Sequence, residues 1–73
     1  MKISARNVIK GKVKKIVRGA VNAEVVIEVA SDVEIVSVIT LESVQSLELK
    51  EGKEVYAIIK ASNVMVGVPH SAH

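Results

Sequence analysis

The sequence contains no cysteine, no phenylalanine and no tryptophan, and Tyr56 is its single aromatic residue. Without cysteine, the chain forms neither disulfide bonds nor thiolate zinc sites. It also lacks the aromatic platforms on which the bases of single-stranded nucleic acid stack, each worth roughly 1–3 kcal/mol. Glycine-rich phosphate loops, nucleophile elbows and paired acid/base carboxylates are absent as well. The sequence therefore predicts a protein that is not an enzyme and has no catalytic residue.

No apolar run in the sequence approaches the roughly 20 residues that a membrane-spanning helix needs. The segment MKISARN at the start of the sequence also lacks the apolar stretch of a secretory signal. These two features predict a cytoplasmic protein without a membrane partner.

The length of the sequence, 73 residues, predicts one small domain with a small core. A domain of this size buries only about 60% of the surface of its unfolded chain. Small domains usually add disulfides, a metal or partner subunits for stability. Disulfides are excluded, and 49% of the residues are hydrophobic, nearly all of them aliphatic. We therefore expect a homo-oligomer.

Alternation of apolar and polar side chains predicts an all-β fold, most clearly between Val21 and Val29, where the period is two. Gly11, an isolated glycine in the first predicted strand, indicates a bulge or a sharp bend there. The segment RGAVN predicts a hairpin turn after this strand. The predicted strands cover residues 7–17, 21–29, 34–40 and 55–59, a short helix covers 41–47, and the tail 64–68 could supply one more edge strand.

The predicted order of elements is about five short strands with one short helix between the third and the fourth. This order matches a small OB-like Greek-key barrel. We expect residues 1–69 to form the single domain and residues 70–73 to be a C-terminal tail.

Charge is distributed unevenly along the sequence. Residues 1–20 hold seven cations and no acid, whereas residues 21–73 hold three cations and all eight acids, so that the sums are +7 and −5. Such a basic segment is typical of proteins that bind nucleic acid or an anion. Alternatively, the basic first strand pairs with acidic strands of the same or another subunit. Because aromatic platforms are missing, nucleic-acid binding by an OB module is the second hypothesis rather than the first.

Three short clusters of cations and hydroxyl groups lie near predicted strand ends. Thr40 stands at the N-cap position of the predicted helix, and such a terminus presents free backbone N–H groups. Cations and neutral donors together are what a tetrahedral dianion requires. Each cluster alone also fits a structural role, as a helix cap, a turn or a solvated charge. The clusters are ISARN (Ser4, Arg6, Asn7), ITLES (Thr40, Ser43) and IKAS (Lys60, Ser62).

The two histidines of the sequence, His70 and His73, both follow Pro69 in the segment HSAH. They form a conceivable metal pair, but no further ligand accompanies them. The simpler interpretation is a solvated C-terminus, and we predict no metal cation site.

Four segments carry a family resemblance: SARN at 4–7, GKVKKIVRGAVNAEVVIEV at 11–29, SVITLESVQSLEL at 37–49 and GKEVYAIIKASNVMV at 52–66. In these segments the chain resembles the molbindins, the stand-alone Mop proteins with a TOBE/Mop domain. The resemblance covers nearly the whole chain apart from its last few residues. It implies an OB-like barrel that assembles as a hexamer, a trimer of dimers. It further implies molybdate or tungstate bound between subunits, for intracellular storage or homeostasis.

The resemblance also implies which residues bind the oxyanion. A second kind of site at the trimer axis is expected from the RGAVN turn and the tail. The residues implied for the first site are Ser4, Arg6, Thr40, Ser43, Lys60, Ala61 (through its backbone) and Ser62. The candidates for the second site are Gly19, Ala20, Val21, Asn22, Val68 and His70.

Overall fold

The computed structural model describes residues 1–70, and this part of the chain folds into an antiparallel sheet with one short helix. No helix among these residues is long and apolar enough to cross a membrane. In chain order the elements are β1 (Asn7–Arg18), β2 (Asn22–Ala30), β3 (Val33–Thr40), α1 (Leu41–Ser46), β4 (Glu54–Ile59) and a single 3-10 turn (Ala61–Asn63).

The sheet has the order β3-β2-β1-β4, so β4 returns to pair with β1 on the side away from β2. Three consecutive antiparallel strands followed by a fourth beside the first define a Greek key. The predicted all-β fold with a helix between the third and fourth strands is therefore confirmed. The described residues contain four strands, however, and form a curled sheet, which is half of a barrel.

The predicted extra strand at residues 64–68 is wrong for this chain, because the segment makes no ladder with the sheet. Its first residue, Val64, follows directly after the 3-10 turn. A strand needs a partner edge for its backbone N–H and C=O groups. This segment pairs with neither edge of its own sheet, and Met65 is 93% exposed.

The inner face of the sheet and the buried side of α1 form the core. Val13 pairs with Ile27, and Ile16 pairs with Val25, so these side chains point to the same face. No polar or charged side chain is buried among residues 1–70. The core is small, in keeping with the predicted need for partner subunits. Its buried members are Val13, Ala23, Val25, Ile27, Val44 and Ala57.

The sequence predicted a bulge or a sharp bend at Gly11, but the β-bulge of β1 lies at another residue. The register between β1 and β2 shifts between Val13 and Lys15, so the extra residue is Lys14. Gly11 instead occupies a close approach of β1 to β2, where a Cβ atom would lie 2.6 Å from the Glu28 carbonyl oxygen. Glycine is required at this position because the two strands leave no space for a side chain.

Two lysines of the basic strand β1 form ion pairs with glutamates on other strands. Lys10 Nζ lies 3.5 Å from a carboxylate oxygen of Glu54 on β4. Lys14 forms an ion pair with Glu34 on β3, and the hydrogen bond to this carboxylate raises the pKa of Lys14. The interpretation that the basic strand pairs with acidic strands is thus confirmed within the chain. These pairs also reduce the positive charge that a nucleic-acid surface would present.

Both ends of α1 are closed by specific hydrogen bonds. At its start, the Ser43 backbone N–H donates to Thr40 Oγ1 at 3.1 Å, so Thr40 is the N-cap that the sequence predicted. At its end, the N–H groups of Glu48 and Leu49 donate to the carbonyls of Gln45 and Val44, both at 3.0 Å. This pattern is a Schellman motif, and its left-handed residue is Glu48 with φ 53°.

Replacing Glu48 with glycine is expected to stabilise the protein. A residue with a Cβ atom in the left-handed region costs roughly 1–2 kcal/mol, and glycine removes this cost. Glycine also loses more conformational entropy on folding, which offsets about 0.5–1 kcal/mol of the gain. The net gain of about 0.5–1 kcal/mol should raise the midpoint of thermal unfolding by a few degrees. Glu48→Ala is the matched control, since it removes the carboxylate but keeps the strained backbone. An equal gain in both variants would assign the effect to charge instead.

Candidate functional site

Two of the predicted oxyanion-binding segments meet at one end of the β1–β4 ladder. Asn7 pairs with Ile59, and the Asn7 side-chain amide donates to the Ile59 carbonyl at 3.2 Å. Arg6 directly precedes this pair, and Lys60 directly follows it. Because the strands are antiparallel, the register places both residues at the same end of the ladder, just beyond its last pair. Both side chains are exposed.

The backbone after Lys60 turns sharply and leaves donors free. Lys60 is extended, with φ −62° and ψ 132°, and its carbonyl accepts from the Asn63 N–H at 2.8 Å. Within residues 1–70, the N–H groups of Ala61 and Ser62 donate to no carbonyl. Glycine and proline are absent here because the turn uses ordinary helical and extended backbone. We name this region, Ser4, Arg6 and Lys60–Ser62, the cationic group.

Thr40 and Ser43 form a second group, which we name the hydroxyl pair. Thr40 Oγ1 donates to Ser43 Oγ at 2.8 Å while it accepts from the Ser43 backbone N–H. The Thr40 hydroxyl proton is thereby used, whereas the Ser43 hydroxyl proton remains free to donate outward. Thr40 also ends the β2–β3 ladder opposite Asn22. The predicted helix cap thus orients the serine that can serve a ligand.

The structure does not bring the cationic group and the hydroxyl pair together within one chain. The cationic group lies at the Asn7 end of β1. The hydroxyl pair lies at the other end, where Arg18 pairs with Ala23 and Ala23 pairs with Ile39, the residue before Thr40. β1 has 12 residues, and a strand of this length has a contour of roughly 36 Å. Each chain therefore presents these candidate residues as two separate groups.

The candidates for the second site fall into two separate places. Gly19, Ala20 and Val21 form the exposed loop between β1 and β2, which the Gly19 N–H closes by donating to the Asn22 carbonyl at 2.8 Å. Val68 and His70 lie in the exposed tail. No hydrogen bond joins the loop to the tail in the part of the chain that the structure describes.

The absence of a metal site at the tail histidines stays a prediction. Between Met1 and His70, no three side chains of His, Asp or Glu come together in a way that could hold a metal ion. His73, the other half of the conceivable pair, lies outside the described residues.

Asn22 and Arg18 were not associated with the first site by sequence reasoning. Asn22 was a candidate for the second site, yet it is the ladder partner of Thr40. Arg18 lies at the same end of the sheet, two strands away from Thr40. The sequence predicted β1, β2 and β3 as consecutive strands. This order indicates that both residues lie at the same end of the sheet as Thr40, because it fixes which strand ends coincide.

The fold and its surface define a class of protein: a small Greek-key β-domain that displays cations and hydrogen-bond donors at its strand ends. The model of the TOBE domain matches residues 3–66. The chain belongs to the TOBE domain family. Its resemblance to the molbindins, or Mop proteins, is thereby confirmed.

The chain is similar to other proteins in sequence and in fold. It is 50% identical to molybdenum-pterin-binding protein 1 of Clostridium pasteurianum over 66 residues, which are 90% of this chain and 97% of that protein. The structure of a molybdate-binding protein from Sporomusa ovata superposes with a TM-score of 0.86 and 41% identity, covering 93% of this chain and all of that one. The cytoplasmic molybdate-binding protein ModG, solved with molybdate bound, superposes with a TM-score of 0.89 and 51% identity, covering 94% of this chain and 49% of that one.

Proposed function

We propose that the chain binds molybdate or tungstate without catalysis, and that it serves intracellular storage or homeostasis of the oxyanion. The observation that carries this proposal is the cationic group: Arg6 and Lys60 flank the last β1–β4 ladder pair, and the N–H groups of Ala61 and Ser62 donate to no carbonyl within residues 1–70. The names of the relatives, which are molybdenum-pterin-binding and molybdate-binding proteins, support the choice of ligand. We propose residues 1–69 as the binding domain and residues 70–73 as a tail, in a cytoplasmic protein like ModG.

The chemistry of the cationic group suits a tetrahedral dianion. Arg6 offers a planar fork of donors, and Lys60 offers a compact charge. The hydroxyls of Ser4 and Ser62 and two backbone N–H groups add neutral donors, which a fully deprotonated oxyanion accepts. Neither the SARN nor the KAS segment contains an acid that would repel the anion.

The separation of the cationic group from the hydroxyl pair supports a pocket between subunits. We propose that the cationic group of one chain and the hydroxyl pair of another enclose one anion, in a homo-oligomer that is a hexamer, a trimer of dimers. Exposed apolar side chains on the outer face of the sheet support association, among them Val36, Val38 and Ile58. Binding would in turn stabilise the assembly, because the complete pocket exists only there.

Isothermal titration of anion-free protein with molybdate tests the function directly. We expect tight binding of molybdate and little or no heat from sulfate or phosphate. A stoichiometry above one anion per chain would indicate the second kind of site as well. An equal response to sulfate, or no heat with molybdate, would contradict the proposed function. Retention on single-stranded DNA at physiological salt would then favour the nucleic-acid hypothesis, which no observation supports at present.

Mixing two defective chains tests the division of the pocket between subunits. The variant R6A/K60A lacks both cations, whereas Ser43→Asp keeps the helix cap but directs a carboxylate at the anion. Each variant alone is expected to bind molybdate poorly. When they are refolded together, about a quarter of the shared pockets would combine two intact halves by random assortment in a symmetric oligomer. Recovery of this fraction of sites, measured by titration, supports the division; no recovery contradicts it.

A further inference from the structure

The short helix α1 carries Ser43 but has little support of its own. Its six residues make less than two helical turns, and a helix shorter than roughly 12 residues is only marginally stable in water. The side chain that it buries is Val44. Since Ser43 belongs to the hydroxyl pair, the direction of its hydroxyl group depends on the contacts that fix both ends of α1 to the sheet.

Lys53 closes the end of α1 with two hydrogen bonds. Its ammonium group donates to the carbonyl oxygens of Leu47 and Glu48, with Nζ–O distances of 2.7 and 3.2 Å. Within residues 1–70, no backbone N–H group donates to either carbonyl. These carbonyls end the Schellman motif, where a positive charge also interacts favourably with the helix dipole. The last turn of α1 contains no basic residue, so Lys53 supplies this charge from the following loop.

The backbone of Lys53 is held in turn by the centre of the sheet. Its carbonyl accepts from the Val13 N–H at 3.0 Å, and the Gly52 N–H donates to the Val13 carbonyl at 2.8 Å. Val13 is a core residue and is 2% exposed. Gly52 has a φ of 88°, a backbone conformation that glycine adopts without strain. Lys53 therefore connects the end of α1 to the buried part of β1.

We propose that Lys53 is a positioning residue of the oxyanion pocket, and this inference rests on the proposed function. By holding α1 against β1, Lys53 directs the Ser43 hydroxyl toward the anion. A binding site needs its donors held within about 0.5 Å and 10–20° of the productive geometry, which supporting hydrogen bonds behind the site provide. Carbonyl oxygens occupy two of the three ammonium donors of Lys53. Because Lys53 also lies at the opposite end of α1 from the hydroxyl pair, it acts through the helix and not as a ligand.

A double-mutant cycle with molybdate as the titrated ligand tests this role. Lys53→Met keeps most of the side-chain length but cannot donate, whereas Lys53→Arg keeps a donor group that can bond two carbonyls. We expect Lys53→Met to weaken binding by about 3- to 10-fold and Lys53→Arg by less than about twofold. In a chain that already carries Ser43→Ala, Lys53→Met should cause no further loss beyond about twofold, because its effect passes through Ser43. Lys50→Met, at an exposed lysine of the same loop, is the matched control and should leave binding unchanged.

Hydrogen exchange, read by mass spectrometry without molybdate, separates positioning from general stability. Loss of the Lys53 bonds should let α1 open locally, so residues 41–49 of the Lys53→Met chain should exchange at least about five times faster. Residues 23–29 of β2 should exchange at the rate of the unmodified chain. Acceleration of both segments, or of neither, would overturn the proposal.

Three titration results would overturn the proposal while the unmodified chain still binds molybdate. They are binding by Lys53→Met without loss, an equal loss with and without the Ser43 hydroxyl, and a loss in Lys53→Arg as large as in Lys53→Met. No heat from the unmodified chain would instead refute the proposed function. The exchange of residues 41–49 would then still decide whether Lys53 holds α1.

Discussion

Replacing Lys60 with alanine is expected to weaken molybdate binding by roughly 10- to 100-fold. A hydrogen bond to a charged group contributes about 1.5–3 kcal/mol, and every 1.4 kcal/mol changes a dissociation constant about tenfold. In the proposed pocket, Lys60 would neutralise part of the dianion, and no other side chain of the KAS segment carries charge. Arg6→Ala should have an effect of the same size, and the double variant a larger one. Isothermal titration with molybdate measures these losses.

The fold should survive both substitutions, because Arg6 and Lys60 are exposed and take part in no ion pair among residues 1–70. Circular dichroism and thermal unfolding check this point. Lys50→Ala is the matched control: it removes one exposed lysine in the loop before β4 and should bind molybdate as the unmodified chain does. Should R6A and K60A both bind molybdate without loss, the assignment of the pocket to the cationic group would be wrong.

Replacing Gly11 with alanine is expected to destabilise the protein by about 1–3 kcal/mol, the usual cost of forcing a group into a packed interior. The new Cβ atom would lie 2.6 Å from the Glu28 carbonyl oxygen and 2.8 Å from Ile27 Cγ2. The carbonyl belongs to the backbone of β2, so relief requires a shift of one strand against the other. For a domain with so few buried residues, this is a large part of the total stability.

Denaturant unfolding at one fixed protein concentration measures the effect of Gly11→Ala, because the stability of an oligomer depends on concentration. Lys12→Ala, an exposed position of β1 next to Gly11, is the control and should change stability by no more than about 0.5 kcal/mol. Equal unfolding of the Gly11→Ala variant and the unmodified chain would show that β1 and β2 can separate locally at no cost.

The local features of this protein were accessible from the sequence. The alternation from Val21 to Val29 depends only on which side chains face the core, and it predicted β2 to within one residue at each end. Thr40 is an N-cap because its side chain bonds to a backbone group three residues away. Pairing of the basic first strand with acidic strands was one of two interpretations of the charge distribution, and the ion pairs of Lys10 and Lys14 bear it out.

The features that depend on strand pairing were not accessible in the same way. A glycine in a strand indicates either a bulge or a close approach, and only the register between β1 and β2 shows that the bulge is at Lys14. The valines of the tail have strand-like composition, but composition does not say whether an edge of the same chain is within reach. The residues of the oxyanion site were identified by resemblance, and their roles remain a prediction.

By itself, the sequence determined the strands, the capped helix and the membership of a family of small β-domains, because periodicity, capping and motif are properties of neighbouring residues. Only the tertiary structure decided that the cationic group and the hydroxyl pair lie at opposite ends of β1. The reason is physical: the sheet order and the register decide which strand ends coincide, and both depend on the pairing of distant edges. Under the proposed function, this separation is the reason why a complete pocket requires a second copy of the chain.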